Sequence, residues 1–364
     1  MLKVMHIVSG DLWAGAEVQA YTLISALSSH CDLKVVLMNP GRLERELKKV
    51  GISTEVIDES QHSSLGIVFQ LKRLMKAYNP DVIHTHRQKE NVLGSLANRL
   101  TSKAASVRTV HGASEFQLRG IKQLKHRIDD WVGRYWQQGA IAVSDVLLAD
   151  LNKRYGPGKT VVIPNGIDAQ RLKDNAQTIA LIENHSSYQH IGLIGRLEPV
   201  KRVDIFLNIA KAMLEDQPGA KPLMFHVIGD GSLKTPLEKK SQEMNLDERV
   251  VFHGHRDDIA SCIQSLDALV LCSDHEGSPM TALEALALGK PMVAHRVGGL
   301  VEMLADYPEC LVAEQSPEAF RQALYTVLRN QSRVIISLAE RFEAHYNAMS
   351  TLEVYQSLAS RSDA

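Results

Sequence analysis

Short apolar runs rich in β-branched residues recur along the chain, and longer stretches with helical spacing separate them. This alternation is typical of parallel sheets built from βαβ units. One series of predicted strands covers 3–9, 33–38, 54–57, 81–84, 106–110 and 140–143, and a second covers 190–194, 223–228, 249–252, 267–272, 291–295 and 310–312. The sequence therefore predicts an α/β protein in which one sheet pattern occurs twice.

The two series are separated by a stretch that breaks regular structure. Ile163–Asp168 contains a proline followed by Asn-Gly, which favours neither helix nor strand, so we place a hinge at about 164–175. The length of 364 residues agrees with two domains at roughly 150 residues each. The tail after Met349 predicts a last helix over 350–358 and then a polar end.

Composition excludes several classes of protein. Hydrophobic residues make up 45% and charged residues 23%, and the mean hydropathy is -0.13, as in soluble globular proteins rather than disordered or membrane proteins. The net charge of -1 provides no field for a polyanion, so we expect no nucleic-acid partner. We find no signal sequence and no run of about 18 apolar residues, and expect a cytoplasmic protein, at most peripheral at the inner face of the membrane. The four cysteines show neither a metal-ligand spacing nor a disulfide framework: Cys31, Cys262, Cys272 and Cys310.

The most informative stretch follows the predicted strand 267–272. Ser278 and Pro279 are a typical N-cap and first helical residue, so we expect a helix from Pro279 to Gly289. The free amides of residues 280–282 would lie at its positive end, which suits a phosphate group.

Two glutamates flank this expected anion site. Glu284 lies about 7 Å along the helix axis, on the face of Met280 and Thr281, and Glu276 lies in the loop at the carboxyl end of the strand. Two carboxylates beside an anion suit a sugar and a ribose joined by a diphosphate, because carboxylates accept hydrogen bonds from hydroxyls. The alternative is a solvated Glu284 and an ordinary helix cap.

A second group follows the first strand of the second series. Gly195 ends that strand, and Arg196 and Lys201 come at the start of the next helix. Positively charged side chains are electrostatically unfavourable at a helix N-terminus unless an anion binds there. A guanidinium together with an ammonium suits the two phosphates of a diphosphate. The alternative is a solvated basic run. Gly229 and Gly231 end another strand, where they would permit either close approach of a ligand or a tight turn.

With these motifs the chain resembles the retaining glycosyltransferases of family 4, which have the GT-B fold. Glu276-x7-Glu284 matches the paired-glutamate motif of the family, and Gly195-Arg196-Leu197 with Lys201 matches its diphosphate-binding pair. Residues 161–168, 227–231 and 297–302 match further family motifs.

The resemblance implies two Rossmann-like doubly wound lobes with an interdomain cleft. They would be an acceptor-side lobe over 1–165 and a nucleotide-sugar-binding lobe over 166–345, with a C-terminal helix over 346–364 that crosses back to the first lobe.

The resemblance also implies roles for single residues. Glu276 would contact the donor sugar, Glu284 the ribose, and Arg196 and Lys201 the leaving diphosphate. His111, which follows a strand end, matches the active-site histidine that borders the donor sugar and the reacting carbon. A lone histidine is otherwise more often structural.

Two loops complete the expected donor site. The loop 10–17 resembles the Gly-Gly-Ala-Glu loop of the family, with Ala14 at a frequent glycine position, so Gly15 is the residue that would allow close approach. Gly10 and Gly15 do not form G-x-G-x-x-G, which disfavours a nicotinamide cofactor. Arg256 is a candidate for contact with the nucleotide base, for which we favour uridine, and its alternative is a surface pair with Asp257 or Asp258.

Metal chemistry is not expected. His84 and His86 could form a metal pair on one strand face, but no third ligand is evident in the sequence, and D-x-D is absent. The resemblance therefore implies a metal-independent retaining transfer without a cofactor.

Residues 85–136 concentrate positive charge, with ten Lys or Arg against four acids. Part of this segment has apolar residues at helical spacing, which indicates either an ordinary helix with its stripe in the core or a basic amphipathic helix resting on anionic lipid. The residues of that stripe are Leu118, Ile121, Leu124, Ile128, Trp131 and Tyr135, with Trp136 adjacent.

We therefore expect an enzyme that moves a hexosyl or N-acetylhexosaminyl group from a nucleotide sugar, with UDP favoured, to a glycan or lipid-linked glycan in polysaccharide or cell-envelope synthesis. The alternatives are a sugar-nucleotide epimerase of GT-B-like fold and a non-catalytic partner in glycan assembly.

Overall fold

A computed structural model describes residues 1–112, 120–182, 185–216, 221–329 and 337–362. The chain divides into two compact units. The first unit comprises Met1–Ile167 and Glu340–Ala364, and the second comprises Asp168–Ala339.

The first unit is built on a sheet of seven parallel strands in the order β3-β2-β1-β4-β5-β6-β7. The strands are β1 Lys3–Val8, β2 Asp32–Leu37, β3 Ser53–Val56, β4 Val82–Thr85, β5 Ala105–Val110, β6 Gly139–Ala142 and β7 Thr160–Val162. The helices are α1 Gly15–Leu27, α2 Arg42–Lys49, α3 Ser64–Tyr78, α4 Gln88–Arg99, α5 Ile121–Tyr135, α6 Asp145–Tyr155 and, at the end of the chain, α14 Ala344–Ser362.

The second unit repeats this arrangement with six parallel strands in the order β10-β9-β8-β11-β12-β13. The strands are β8 Gln189–Ile194, β9 Leu223–Ile228, β10 Val250–Gly254, β11 Ala268–Leu271, β12 Met292–His295 and β13 Leu311–Val312. The helices are α7 Ala169–Asn175, α8 Val203–Asp216, α9 Lys234–Glu243, α10 Ile259–Gln264, α11 Met280–Ala287, α12 Leu300–Met303 and α13 Pro317–Arg329.

Both sheets have the strand order of the doubly wound Rossmann fold, which confirms the predicted fold class. Each of the predicted runs contains a strand. The strand β7 was not among the predicted strands, and it ends two residues before Pro164, where the predicted hinge begins. The last helix was placed too late, since α14 begins at Ala344 rather than at residue 350.

The first sheet is buried on both faces, as expected of parallel strands. Along β1, Val4 and Val8 enter the core that also contains Tyr355 of α14, while Met5 and Ile7 enter the core beneath α3 and α4. The C-terminal helix α14 is attached to this unit by polar contacts as well, since Asn347 Nδ2 donates to the Pro164 carbonyl at 2.6 Å. The last helix is thus part of the first unit's core.

Candidate functional site

Most of the predicted donor residues of the second unit follow β8 or β11, the two strands between which its strand order reverses, whereas Gly229 follows β9 and Arg256 follows β10. β8 and β11 are hydrogen-bonded neighbours, and their connections leave in opposite directions. Such a switch point, at the carboxyl ends of the strands, is where open α/β sheets bind ligands. The loop after β8 and the loop after β11 are joined there by a hydrogen bond, in which the Asp274 amide donates to the Val200 carbonyl at 2.9 Å.

Lys201 and Glu276 meet at this edge, although they are 75 positions apart. Lys201 Nζ lies 2.6 Å from Glu276 Oε1, and the Ser273 hydroxyl donates to the same oxygen at 2.6 Å. The Glu276 side chain is 8% exposed and that of Lys201 is 21% exposed. The pair is therefore a largely desolvated contact held in one geometry. Ser273 was not a predicted site residue, because nothing in its spacing distinguishes it from other loop serines.

Two glycines set the backbone around this pair. Gly298 has φ 52°, and a Cβ there would lie 1.7 Å from the Glu276 carbonyl oxygen. Gly229 has φ 141°, and a Cβ there would lie 1.9 Å from the Gly195 carbonyl oxygen. The group that closely approaches Gly229 is therefore the backbone of another loop, at Gly195.

The helix after Glu276 begins one residue later than expected. Pro279 has extended backbone (φ -70°, ψ 124°) and is itself the N-cap, so the assignment of Ser278 to that position was wrong. The Pro279 carbonyl accepts from the amides of Ala282 and Leu283, at 3.1 and 3.3 Å. The expected free amide of Ala282 is thus used inside the helix, while those of Met280 and Thr281 have no hydrogen-bond partner among the described residues.

Glu284 lies one turn into α11 and is partly buried. Burial raises the pKa of its carboxyl group from 4.5 to about 8. Within the described residues, no side chain forms a hydrogen bond or ion pair with this carboxyl group. Its oxygens are thus available for a ligand that supplies hydroxyl donors.

Among the cations that follow Gly195, Arg196 differs from Lys201 and Arg202 in having no acidic partner in the described second unit. Arg196 is exposed, and its guanidinium forms no ion pair with the part of the second unit that the structure describes. Arg202 is held by Asp204 and Asp274, and hydrogen bonding to Asp204 is the main reason that its pKa is raised. Arg196 thus has no acidic partner in the described second unit, whereas Glu276 holds Lys201, and Arg202 ties the loop after β8 to the loop after β11.

Arg256, the candidate contact for the base, forms a two-pronged pair with Asp258. The Arg256 Nε to Asp258 Oδ1 distance is 2.8 Å, and hydrogen bonding from the guanidinium lowers the pKa of Asp258. The surface pairing considered as the alternative is therefore present, and contact of Arg256 with a base stays a prediction.

In the first unit, Gly15 is the first residue of α1 and is exposed. Ala14 is the N-cap in extended backbone (φ -127°, ψ -178°), a conformation that any residue adopts, so this departure from the family's glycine causes no strain. Glu17, buried two residues later, pairs with Arg87.

His111 follows β5, at the carboxyl edge of the first sheet. Burial lowers its pKa to about 3, with Arg87 and Arg108 adding to the effect, so the imidazole is neutral at physiological pH. His111 Nε2 lies 3.2 Å from His86 Nδ1. No third ligand for His84 and His86 was evident in the sequence, but the structure places His6 beside both of them.

The described part of the apolar stripe on α5 faces outward, so placing it in the core was wrong for these residues. Leu124, Ile128, Trp131 and Tyr135 are 59%, 42%, 48% and 61% exposed. The helix instead buries Asp129 and Val132, and Asp129 pairs with Arg108 at 2.6 Å. Leu118 lies outside the described residues, as do Arg119 and the side chains of Ile121 and Lys122.

The basic surplus of 85–136 is smaller in the fold than in the sequence. Arg87 pairs with Glu17 and Lys89 with Glu59, and both acids lie outside the segment. Lys125, Arg127 and Arg134 on α5 remain exposed. Across the described residues, none of the helices is long and apolar enough to cross a membrane.

Comparison with known proteins places both units in one family. Residues 13–171 match the model of Glycosyltransferase Family 4, and residues 188–330 match that of Glycosyl transferases group 1. The chain is 25% identical over 317 residues to the UDP-Gal:alpha-D-GlcNAc-diphosphoundecaprenol alpha-1,3-galactosyltransferase of Escherichia coli, covering 82% of this chain and 80% of that protein.

Two further relatives extend the comparison. The D-inositol 3-phosphate glycosyltransferase of Geodermatophilus obscurus is 26% identical over 333 residues, covering 85% of this chain and 73% of that protein. The structure of Anabaena Alr3699/HepE in complex with UDP and glucose has a TM-score of 0.82 and 20% identity, over 98% of this chain and all of that one. At this identity the structural likeness shows the fold alone.

Proposed function

The chain belongs to the family 4 glycosyltransferases of the GT-B fold, and from this premise we propose that it transfers a sugar from a UDP-sugar to a glycan or lipid-linked glycan, with retention at the anomeric carbon. The observation that carries the proposal is the contact between Lys201 and Glu276, which precedes the helix α11 that holds Glu284, a carboxyl group with no side-chain partner among the described residues. It combines a cation for a diphosphate with carboxyl groups whose oxygens can accept from sugar hydroxyls, at the switch point of a Rossmann-like sheet.

In the proposed reaction the bond between the anomeric carbon and the diphosphate oxygen breaks, and a bond from the acceptor oxygen to that carbon forms on the same face. The proton of the acceptor hydroxyl goes to the departing phosphate oxygen. Arg196, Lys201 and the amides of Met280 and Thr281 stabilise the charge that develops on the diphosphate. Such electrostatic stabilisation is usually the largest contribution to catalysis. No metal or cofactor takes part.

The remaining roles follow the family pattern. Glu276 contacts the donor sugar and Glu284 accepts from the ribose hydroxyls, for which a carboxyl group without a side-chain partner among the described residues is well suited. His111 contacts the donor sugar, and Arg256 contacts the base.

The acceptor and donor classes rest on the relatives. The Escherichia coli enzyme is described by a UDP-sugar donor and a diphosphoundecaprenol-linked acceptor, and the Anabaena protein was crystallised with UDP and glucose. They support a hexosyl or N-acetylhexosaminyl transfer in polysaccharide or cell-envelope glycan synthesis.

A lipid-linked acceptor would require contact with the membrane, and α5 offers a surface for it. Its outward stripe of Leu124, Ile128, Trp131 and Tyr135 lies beside the exposed cations Lys125 and Arg127. An amphipathic helix with an aromatic and aliphatic face and flanking cations suits an anionic bilayer surface. We place the protein as a peripheral one on the cytoplasmic side.

The function is tested by incubating the protein with a panel of UDP- and GDP-sugars, with and without a diphosphoundecaprenol-linked acceptor, and measuring free nucleoside diphosphate and glycosylated product. We expect acceptor-dependent release from a UDP-sugar, an α-linked product from an α-linked donor, and the same rate in EDTA. Glu276→Gln should lose activity, while Glu243→Gln on exposed α9 serves as the matched control.

The same panel distinguishes the alternatives. Conversion of the donor to a different sugar nucleotide without an acceptor would indicate an epimerase. Nucleotide binding without turnover of any donor would indicate a non-catalytic partner.

A further inference from the structure

Four histidines of the first unit form a continuous hydrogen-bonded chain that ends at His111. His86 Nδ1 lies 3.2 Å from His111 Nε2, and His6 Nδ1 lies 3.2 Å from His86 Nε2. The Tyr355 hydroxyl lies 3.4 Å from His6 Nε2 and 2.5 Å from His84 Nδ1. These groups come from β1, β4, β5 and α14, all within one unit.

The far end of the chain is a threonine on β5. The Thr109 hydroxyl lies 2.8 Å from His84 Nε2, and Thr109 is buried. The order is therefore Thr109, His84, Tyr355, His6, His86 and His111, with one hydrogen bond at each step.

The ring geometry is that of hydrogen bonding along the chain rather than of a metal site. Between His6 and His86 the ring centroids are 5.5 Å apart, and between His86 and His111 they are also 5.5 Å apart. In each pair, the distance between the centroids equals about the 3.2 Å between the two nitrogens plus the distance from each nitrogen to the centroid of its own ring. The two rings of each pair therefore lie end to end, with interplanar angles of 22° and 15°.

His84, by contrast, stacks face to face on His86, with centroids 4.4 Å apart and an interplanar angle of 17°. The lone pairs of an imidazole lie in the plane of its ring, so those of two stacked rings do not converge on one ion. The cluster of His6, His84 and His86 thus lacks the convergence that a tetrahedral zinc site needs.

One neutral tautomer satisfies the whole chain. Each neutral imidazole has one N–H donor and one acceptor nitrogen, and the partner of one nitrogen decides which nitrogen carries the proton. Among the described residues, His84 Nε2 is the only acceptor for the buried Thr109 hydroxyl, so the chain begins with Thr109 as donor. Each following group then donates to the next, and His111 is left with a proton on Nδ1.

That Nδ1 is buried and has no hydrogen-bond partner in the described part of the protein. We propose that the chain from Thr109 to His86 is a positioning device that holds His111 in the Nδ1–H tautomer and presents this N–H as a donor to an oxygen of the substrate. In the reaction proposed above, on which this role rests, that oxygen is a hydroxyl of the transferred sugar.

Burial lowers the pKa of all four histidines, which keeps the rings neutral and the chain intact at physiological pH. Arg87 and Arg108 act in the same direction at His111. The positioning role requires no net proton transfer, because every group keeps one proton throughout.

The test is 15N NMR of the ligand-free protein labelled at histidine, in which protonated and unprotonated ring nitrogens have well-separated shifts. Single His→Gln variants assign the rings. We expect Nδ1 to be protonated in His6, His84, His86 and His111. Tyr355→Phe removes the hydroxyl that joins His84 to His6, and should convert part of His111, three links away, to the Nε2–H form.

Two controls separate this role from packing. Tyr155→Phe removes another buried hydroxyl of the same unit, one that accepts from Arg108, and should leave the tautomer of His111 unchanged. The histidines of the second unit, His190, His226 and His253, form a separate hydrogen-bonded series and report on the fold in every variant. Thr109→Val, which acts at the other end of the chain, should move His111 in the same direction if Tyr355→Phe does not fold.

The proposal is overturned if His111 is in the Nε2–H form in the unaltered protein, or if neither variant changes its nitrogen shifts. One equivalent of bound zinc with loss of these N–H signals would overturn it in favour of a metal site. Once transferase activity has been measured, Tyr355→Phe should lower kcat roughly two- to tenfold, because the net contribution of one hydrogen bond corresponds to such a change in rate. The KM for the donor should be nearly unchanged. Failure of the enzyme assay alone would contradict the proposed function and leave the NMR result standing.

Discussion

The ammonium of Lys201 lies 2.6 Å from the Glu276 carboxylate, in a contact that water barely reaches. A desolvated ion pair holds both side chains in place, but its cation is then partly neutralised for any incoming anion. Arg196, exposed and without an ion-pair partner in the described second unit, retains its full charge. We therefore expect Arg196 to make the first contact with a diphosphate and Lys201 to share its charge between that diphosphate and Glu276.

Removing either cation should weaken the binding of UDP. A charge-assisted hydrogen bond contributes roughly 1.5–3 kcal/mol, and the exposed Arg196 should lie at the lower end because water screens it. Isothermal calorimetry on Arg196→Ala and Lys201→Ala measures this, with Lys239→Ala on exposed α9 as the control. Unchanged affinity in both variants would contradict the diphosphate assignment.

The two glutamates should separate in kinetics. Glu284→Gln replaces a carboxyl group that has no partner in the described protein, so it should raise the dissociation constant for UDP by removing an acceptor for the ribose hydroxyls. Glu276→Gln keeps the shape but weakens the contact with Lys201 and the sugar, so it should chiefly lower kcat. Equal losses of affinity in both variants, with kcat unchanged, would show that the roles are not divided in this way.

The sequence predicted the strands because parallel strands are buried on both faces and read as short apolar runs. It also predicted Glu276, Glu284, Arg196 and Lys201 as a group, since each lies at the carboxyl end of a strand or at the following helix start. It did not show that Lys201 and Glu276 are bonded to each other, because a contact over 75 residues depends on the order of the strands.

The chain from Thr109 to His111 was missed for a related reason. His6 and Tyr355 have ordinary neighbours in the sequence, and their positions follow from the pairing of His6 with His84 across β1 and β4 and from the return of α14 to the first unit. The outward stripe of α5 could not be assigned either, because periodicity shows that a helix has an apolar face but not what covers that face.

Glu284 should make stability depend on pH. Its pKa is about 8 in the folded protein and 4.5 as the reference for the unfolded chain, so between these values the folded state holds more protons. The favourable contribution of the protonated group is present below pH 4.5 and is lost as pH rises through 8. The melting temperature of Glu284→Gln, measured by calorimetry, should therefore rise relative to that of the unaltered protein as the pH increases from 5 to 8.5. A difference that does not change over this range would contradict the raised pKa.

The exposed face of α5 gives the last prediction. Each Lys or Arg near an anionic surface contributes about 1 kcal/mol, and the attraction falls as salt screens it, so the protein should sediment with anionic but not neutral vesicles and be released at high salt. Charge reversal at Lys125 and Arg127 should reduce sedimentation, whereas reversal at Lys48 and Lys49, which are also exposed in the same unit but pair with Glu44 and Glu46, should not.

The apolar part of the contact has its own control. Leu124→Glu should weaken binding, because the 59% exposed leucine lies in the stripe, while Leu65→Glu on α3, at a 69% exposed leucine outside it, should have little effect. If the protein stays in the supernatant with both kinds of vesicle at low salt, the stripe does not dock on lipid. If instead all four variants weaken binding alike, the attraction belongs to the general charge of the first unit rather than to α5.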